Sequence, residues 1–415
     1  MSDGHVANQR KLLWITPNRR DFWMDQATWL EVAPELARLG WQVTLVVWSG
    51  QGLRAPPGVD LVEVPQGKVA GVNVALYHAA LLSRFARSLR RFDIVLFHEV
   101  SAPFLAVARW GLKVGGGPRP TFVLDSRSLP LTGVLRTNVR GGVVRLVHRF
   151  AAHLSDGQTV ITRRLADELR SRPDRLLGIW SSGVRVEPFR DAARMRTWPG
   201  QVDPLRLVYI GSLAGGRGLL KFCEAVRLVN AERSRVTLTL FGRGLATSQI
   251  EQLTRSWRPG EIELSAPLRY ERMPGVLAAA HLGVLPFGDS PVWRTSSPLK
   301  LFEYLAAGLP IVATRIAAHL DVLHEADCTF WADDADPPGL AAAIVQAIAR
   351  RQELPAMGDR AAALAEQWTW RRSAENLGRA LETARARHLS AHPTTTARQG
   401  SEPGSDQYKS PPEGT

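Results

Sequence analysis

Cysteine is nearly absent from this chain: Cys223 and Cys328 are the only two in 415 residues. They stand far apart and fit no metal-binding or redox spacing, so two buried thiols in a reducing compartment are expected. No cluster of His and Cys with metal-ligand spacing stands out either, and no metal or other cofactor is expected. Long apolar runs are missing too; none approaches the roughly 20 residues needed to span a bilayer. The N-terminus is polar and enters a strand at Lys11, without the apolar core of a secretory signal. Together these absences give a cytoplasmic expectation.

Acid is scarce relative to base. Asp and Glu number 39 against 52 Lys and Arg, for a net charge of +13 and a pI near 10.5. Such an excess suits nucleic acid, an anionic membrane surface or a polyanionic substrate, or is a generally basic solvated surface. Nucleic acid is the weakest of these. The chain has no helix-turn-helix, RNP or zinc pattern, and its aromatics do not interleave with the basic residues as stacking platforms. Otherwise 45% hydrophobic and 22% charged residues describe an ordinary globular chain, and its length suggests two domains.

What is present is a repeated strand–helix alternation. Leu12–Thr16, Gln42–Trp48, Leu61–Val64, Ile94–Phe97, Thr121–Leu124 and Gln158–Ile161 read as buried strands. Helices at Trp29–Leu39, Val74–Arg90, Ala102–Gly111, Gly141–Leu154 and Arg163–Arg170 lie between them. That order predicts a parallel sheet whose ligands bind beyond the carboxyl ends of the strands. The loop from Pro17 to Asp25 would then face the site. Pro199, Gly200 and Pro204 mark an interdomain linker, and the alternation restarts at Leu207. The expected division is a first α/β domain at 1–190, a linker at 191–204, a second α/β domain at 205–365 and a long basic helix at 366–387. A tail at 388–415, rich in Ser, Thr, Pro and charge, is expected to be disordered.

The most informative stretch runs from Ser297 to Thr314, S-P-L-K-L-F-E-Y-L-A-A-G-L-P-I-V-A-T. Ser296 or Ser297 is placed to cap a helix whose first turn holds Pro298. Leu301, Phe302, Leu305 and Ala306 form its apolar stripe. Gly308 and Pro310 end it, and Ile311–Ala313 is a buried strand. A helix start favours a bound anion, and Lys300 adds a point charge for phosphate oxygens. Glu303, one turn in, suits a pair of hydroxyls such as those of a ribose. The competing reading is that Lys300 and Glu303 merely pair on a surface helix.

This stretch, with the strand Leu282–Pro286 before it, resembles the nucleotide-sugar-binding segment of the family-4 glycosyltransferases of GT-B fold. The closest likeness is to bacterial members written S-P-x-K-x-x-E-Y. The resemblance implies two Rossmann-like domains facing across a cleft, and Lys300 on the diphosphate with Glu303 on the ribose. It also implies transfer from a nucleotide diphosphate sugar to a hydroxyl acceptor with retention and without a divalent metal. Thr295 stands where many members have a second glutamate that reaches the sugar. The resemblance further implies a closing helix that crosses back onto the first domain.

Other candidates follow from strand ends. Gly211 to Gly218 is a glycine-rich strand-to-helix turn, in which Gly211, Arg217 and Gly218 match the phosphate-binding turn that the resemblance implies. Gly242 and Gly244 either approach the base or satisfy a turn that needs positive φ. Ser297 completes the donor set. On the acceptor side His98 ends one strand, and Asp125 and Arg127 end the next. Asp125 either orients or deprotonates the acceptor hydroxyl, or pairs with Arg127 to stiffen its loop. Arg-rich helices around Arg84–Arg91 and Arg136–Arg149 motivate contact with an anionic membrane at the inner face of the plasma membrane, where a lipid-linked acceptor would be met. The rival readings are a GT-B nucleotide-sugar epimerase and, more distantly, a basic nucleic-acid-binding protein.

Overall fold

The computed structural model describes residues 10–16, 23–48, 53–64, 73–129, 138–231, 235–324 and 326–391; for residues 23–26, 138–145 and 391 it describes the backbone. Two parallel sheets organise the chain. The first holds β1 (Arg10–Ile15), β2 (Trp41–Trp48), β3 (Val59–Val64), β4 (Ile94–Phe97), β5 (Thr121–Ser126), β6 (Gly157–Val160) and β7 (Leu176–Ile179), in the order β3-β2-β1-β4-β5-β6-β7. The second holds β8 (Leu205–Ile210), β9 (Val236–Phe241), β10 (Ile262–Ser265), β11 (Leu282–Leu285), β12 (Ile311–Thr314) and β13 (Thr329–Ala332), in the order β10-β9-β8-β11-β12-β13. Each sheet reverses direction of growth beside its first strand, between β1 and β4 and between β8 and β11. Such switch points open a crevice at the carboxyl ends of the strands.

The first sheet is covered on both faces, and its strands read accordingly. Leu12 and Trp14 of β1 join one core with the helix Trp23–Arg38, while Leu13 and Ile15 join the other with the helices Asn73–Phe85 and Ala102–Val114. Period-two alternation thus sorts side chains between two apolar layers instead of between core and water. The second domain has one continuous core, to which Leu301, Phe302, Leu305 and Ala306 contribute fully buried side chains.

The last helix, Trp370–Ala391, leaves the second domain and packs Trp370, Ala374, Leu377, Leu381 and Ala384 into the first domain's core beside Trp14 and Trp29. Ser373 Oγ donates to the Ser181 carbonyl at 2.8 Å, and Arg387 donates to the Asp174 carbonyl at 2.8 Å. The two lobes are therefore tied by two passes of chain, which meet where Val184 N–H donates to the Trp368 carbonyl at 2.9 Å.

Several expectations change. The basic helix continues through Ala391, so residues 388–391 are ordered: no helix breaker occurs before Pro393. The remainder of the expected tail, the polar lead at 1–9 and most of the Pro17–Asp25 loop lie outside the described residues. The helix read to Arg90 stops at Phe85, and Leu89–Arg91 forms a separate 3₁₀ turn. Residues at the start of the linker form a helix, Glu187–Arg194, anchored by the buried Phe189. The helix Ala317–Leu323 and strand β13 had no reading at all; both are short.

Candidate functional site

The turns expected to take the donor are built from backbone. After β8 the chain turns at Gly211, whose φ is +141° and whose N–H donates to the Phe241 carbonyl at 2.8 Å. A Cβ there would sit 3.0 Å from both Cε and Nζ of Lys300, so the missing side chain is the room the lysine head occupies. Gly218 takes φ +71° at the start of the helix Leu219–Val229, and a Cβ on it would lie 1.8 Å from the Pro286 carbonyl oxygen. Gly242 and Gly244 pack against Gly211 and Leu213 so closely that a Cβ would collide with their carbonyls. These glycines interlock the turns after β8, β9 and β11.

Lys300 and Arg217 converge on this cradle. Lys300 is 7% exposed and Arg217 4%. The Lys300 ammonium lies 5.3 Å from the Tyr209 ring centre, and the Arg217 guanidinium lies 4.9 Å from that of Trp293 and 5.5 Å from that of Phe287. Arg217 also donates to the Tyr209 hydroxyl at 3.4 Å. Burial and the neighbouring Arg217 push the Lys300 pKa down, against the pull of Glu303. Burial pushes the Glu303 carboxyl up, opposed by Lys300. No ion pair within 4.0 Å joins Lys300 to Glu303 among the described residues. Their helix, Leu299–Ala306, is largely buried, so a surface pair does not describe them.

Ser297 needs a correction. It does not cap this helix: Pro298 stands at the cap position with no side-chain bond. Ser297 Oγ instead accepts from the Ser182 N–H of the first domain at 3.2 Å. Proline's fixed, extended entry turns Ser297 toward the seam between lobes. Thr295 is 3% exposed and donates to the carbonyls of Pro291 and Val292 within its own turn. Its own carbonyl accepts from Thr162 Oγ1 at 2.8 Å, a second stitch across the seam.

The strand ends expected to face the acceptor are built from side chains. His98 follows β4; its Nε2 lies 3.1 Å from Glu99 Oε2, and its Nδ1 accepts from the Val100 N–H at 3.3 Å. Both ring nitrogens are thus engaged. Glu99 also accepts from Ser126 Oγ at 2.5 Å and lies 3.3 Å from His148 Nδ1. Burial opposes its charge, yet His98, His148 and Ser126 together hold its pKa at about 2. Asp125 is 5% exposed, and its Oδ1 accepts from Thr159 Oγ1 at 2.8 Å and Trp180 Nε1 at 2.9 Å. Burial raises its pKa, against Arg127, Thr159 and Trp180. Arg127 stacks on Trp180, 3.7 Å from the ring centre, and donates to its carbonyl at 3.1 Å. Asp125 and Arg127 therefore share Trp180, two residues before the Ser182 that bonds Ser297.

Sequence reasoning missed Arg196. It is buried and donates to the carbonyls of Leu277, Ala280, Ala307 and Gly308 at 2.6–2.9 Å. A cation there neutralises the C-terminal end of the Lys300 helix, and no periodic or motif signal marks it. The role of His148 was likewise invisible. Among the described residues, no group of three His, Cys, Asp or Glu side chains could hold a metal ion.

Two facing parallel-sheet domains with a cationic, glycine-lined cradle at one switch point are the GT-B architecture of glycosyltransferases. Residues 204–350, within the second domain, match the family described as glycosyl transferases group 1. Among curated proteins, the chain is similar to the putative teichuronic acid biosynthesis glycosyltransferase TuaH of Bacillus subtilis (strain 168). The two are 36% identical over 52 residues, 12% of this chain and 13% of that relative's length. Among solved structures, sucrose-phosphate synthase from Thermosynechococcus elongatus superposes with a TM-score of 0.68 at 16% identity, covering 92% of this chain and 99% of the other. Anabaena HepE in complex with UDP gives 0.66 at 14% identity, covering 92% and 100%. These likenesses extend over both lobes and show the fold.

Proposed function

We propose that this protein is a glycosyltransferase that moves a sugar from a nucleotide diphosphate sugar to a hydroxyl acceptor, with retention, in assembly of a bacterial-type glycan. The observation that carries the reading is the pair of cations, Lys300 and Arg217, set against the Gly211 turn. As the bond between the anomeric carbon and the diphosphate oxygen breaks, negative charge grows on the leaving group. Lys300 and Arg217 stabilise it there, which is the principal electrostatic lever at such a centre. The new bond forms to the acceptor oxygen, and its proton passes to the departing diphosphate oxygen. Glu303, one helical turn from Lys300, accepts from the ribose hydroxyls. No resident metal enters this scheme.

On the opposite wall His98 faces the sugar. Asp125 acts on the acceptor through Trp180 and Arg127, which it positions. HepE was solved with UDP, which makes a uridine donor the first choice. TuaH is named for teichuronic acid biosynthesis, which favours a cell-surface polymer or a lipid-linked intermediate as acceptor. Within the family-4 assignment, the S-P-x-K-x-x-E-Y stretch is the donor grip. A panel of nucleotide sugars, screened by thermal shift and by release of nucleoside diphosphate, tests the proposal. One donor should raise the melting temperature and turn over. Lys300→Ala and Glu303→Ala should each lower turnover by about 100-fold or more while keeping the wild-type circular dichroism. Full turnover in both variants overturns it.

A further inference from the structure

The first sheet's second face is covered by three helices, Asn73–Phe85, Ala102–Val114 and Asn138–Leu154, which share one core through Leu81, Leu105 and Ala151. Each is apolar on its inner side, as expected. Unexpectedly, the outer side is apolar too. Val107, Trp110 and Val114, spaced as one helical face, are 66–68% exposed. Leu146 and Phe150 on the third helix are 68% and 44% exposed, and Leu76 on the first is 47% exposed. Large apolar side chains turned outward from every helix of one layer mark a surface that meets something.

Charge says what it meets. None of these three helices contains an Asp or Glu. Between residues 73 and 154 the chain has twelve Lys and Arg against three Asp and Glu, which supplies nine of its thirteen net positive charges. Two of the three acids, Glu99 and Asp125, are engaged in the acceptor wall. The third, Asp93, lies 3.5 Å from Arg385 of the closing helix. Arg84, Arg87, Arg91, Lys113 and Arg149, on these helices or the turn that follows the first of them, are exposed. A protein partner matched to this face would have to be both apolar and strongly acidic. An anionic bilayer offers both at once: negative headgroups for the rim and acyl chains for Trp110 and its neighbours.

We infer that the outer face of these three helices is a docking surface for an anionic lipid bilayer. The face lies directly behind the acceptor wall. In the helix Asn138–Leu154, Leu146, Arg149 and Phe150 point outward, while His148, on the opposite side, reaches Glu99. A lipid-linked hydroxyl held in the headgroup layer would thus be presented close to the site. Only that last step rests on the proposed reaction; the docking itself does not.

The experiment is flotation of the full-length protein with vesicles of phosphatidylcholine alone and of phosphatidylcholine with an equal part of phosphatidylglycerol, at low and high salt. The protein should float with the anionic vesicles, stay behind with the neutral ones, and be released in part by salt. The double variant Trp110→Ser, Phe150→Ser removes two exposed side chains, so its thermal melt should match the wild type. Its vesicle affinity should fall at least tenfold, while release of nucleoside diphosphate from the free donor stays unchanged. Absence of binding by the wild type, or equal binding by the variant, overturns the inference. So does a wild-type dimer in solution that the variant converts to monomer, since the face would then be covered by a second copy. Because turnover is read separately, loss of docking with intact donor cleavage leaves the catalytic reading standing, and the reverse result does the opposite.

Discussion

The two walls of the cleft are made in different ways. The wall proposed for the donor is a matter of backbone. Gly211, Gly218, Gly242 and Gly244 let three turns interlock, and Lys300 enters the space that Gly211 leaves open. Its main support from afar is again directed at backbone, the four carbonyls held by Arg196. The wall proposed for the acceptor is a matter of side chains. Glu99, His98, His148 and Ser126 hold one another, and Asp125, Thr159, Trp180 and Arg127 form a second group beside them. A backbone cradle suits a ligand part that does not vary, such as a diphosphate. A side-chain wall can be rewritten one residue at a time, which suits an acceptor that differs between enzymes.

This contrast can be broken at either wall. Arg196→Met should give the largest change in stability. It strands four buried carbonyls and removes the cation at the end of the Lys300 helix, costing about 3 kcal/mol or more. Chemical denaturation of the second domain would read it; a loss below that of an ordinary surface substitution would mean the clamp is idle.

Glu99→Gln should cost less, about 1–3 kcal/mol near neutral pH. The folded pKa of Glu99, about 2, lies below its ordinary value of 4.5. Its contribution is therefore full above the ordinary value and is lost as pH falls toward 2. The difference between wild type and variant should shrink over that window, and a gap that persists unchanged at pH 2 would contradict the charge-based account.

Asp125→Asn should have the smallest effect and the opposite sign. The folded pKa of Asp125 is raised, so its charge weakens the fold as pH rises past the ordinary carboxylate range. Asparagine can still accept from Thr159 and Trp180 through its carbonyl. The variant should be more stable at neutral pH by about 1 kcal/mol, with the gain fading in acid. Paired measurement of turnover sharpens the comparison: a positioning role for Asp125 predicts a modest loss, whereas direct proton transfer predicts loss comparable to that of Lys300→Ala.

Much of the architecture was legible because it is written in local signals. Alternating strands and helices, closed by glycine and proline, placed β1 to β6 of the first lobe and β11 and β12 of the second near their observed positions. Among the described strands, β13 had no local signal strong enough to mark it. The segment Ser297–Thr314 announced a helix start, an apolar stripe and a stop within eighteen residues. It failed at Ser297, because a serine before proline looks like a cap from the sequence, while its true partner is Ser182, distant in the chain. Arg196 and His148 failed for the same reason. Nothing nearby in the chain distinguishes a buried arginine that gathers carbonyls from a solvated one.

Sequence alone determined the two α/β lobes, the basic charge and its concentration in residues 73–154, and the presence of Lys300 and Glu303 on one helical turn. Those depend on period, composition and spacing, which are properties of neighbours along the chain. Only the tertiary structure decided that Lys300 and Glu303 form no salt bridge on a largely buried helix, that His98 has both nitrogens engaged, and that three helices turn apolar faces outward. Each of those depends on which distant groups compete for the same partner or the same water, and that competition exists only once the chain has closed on itself.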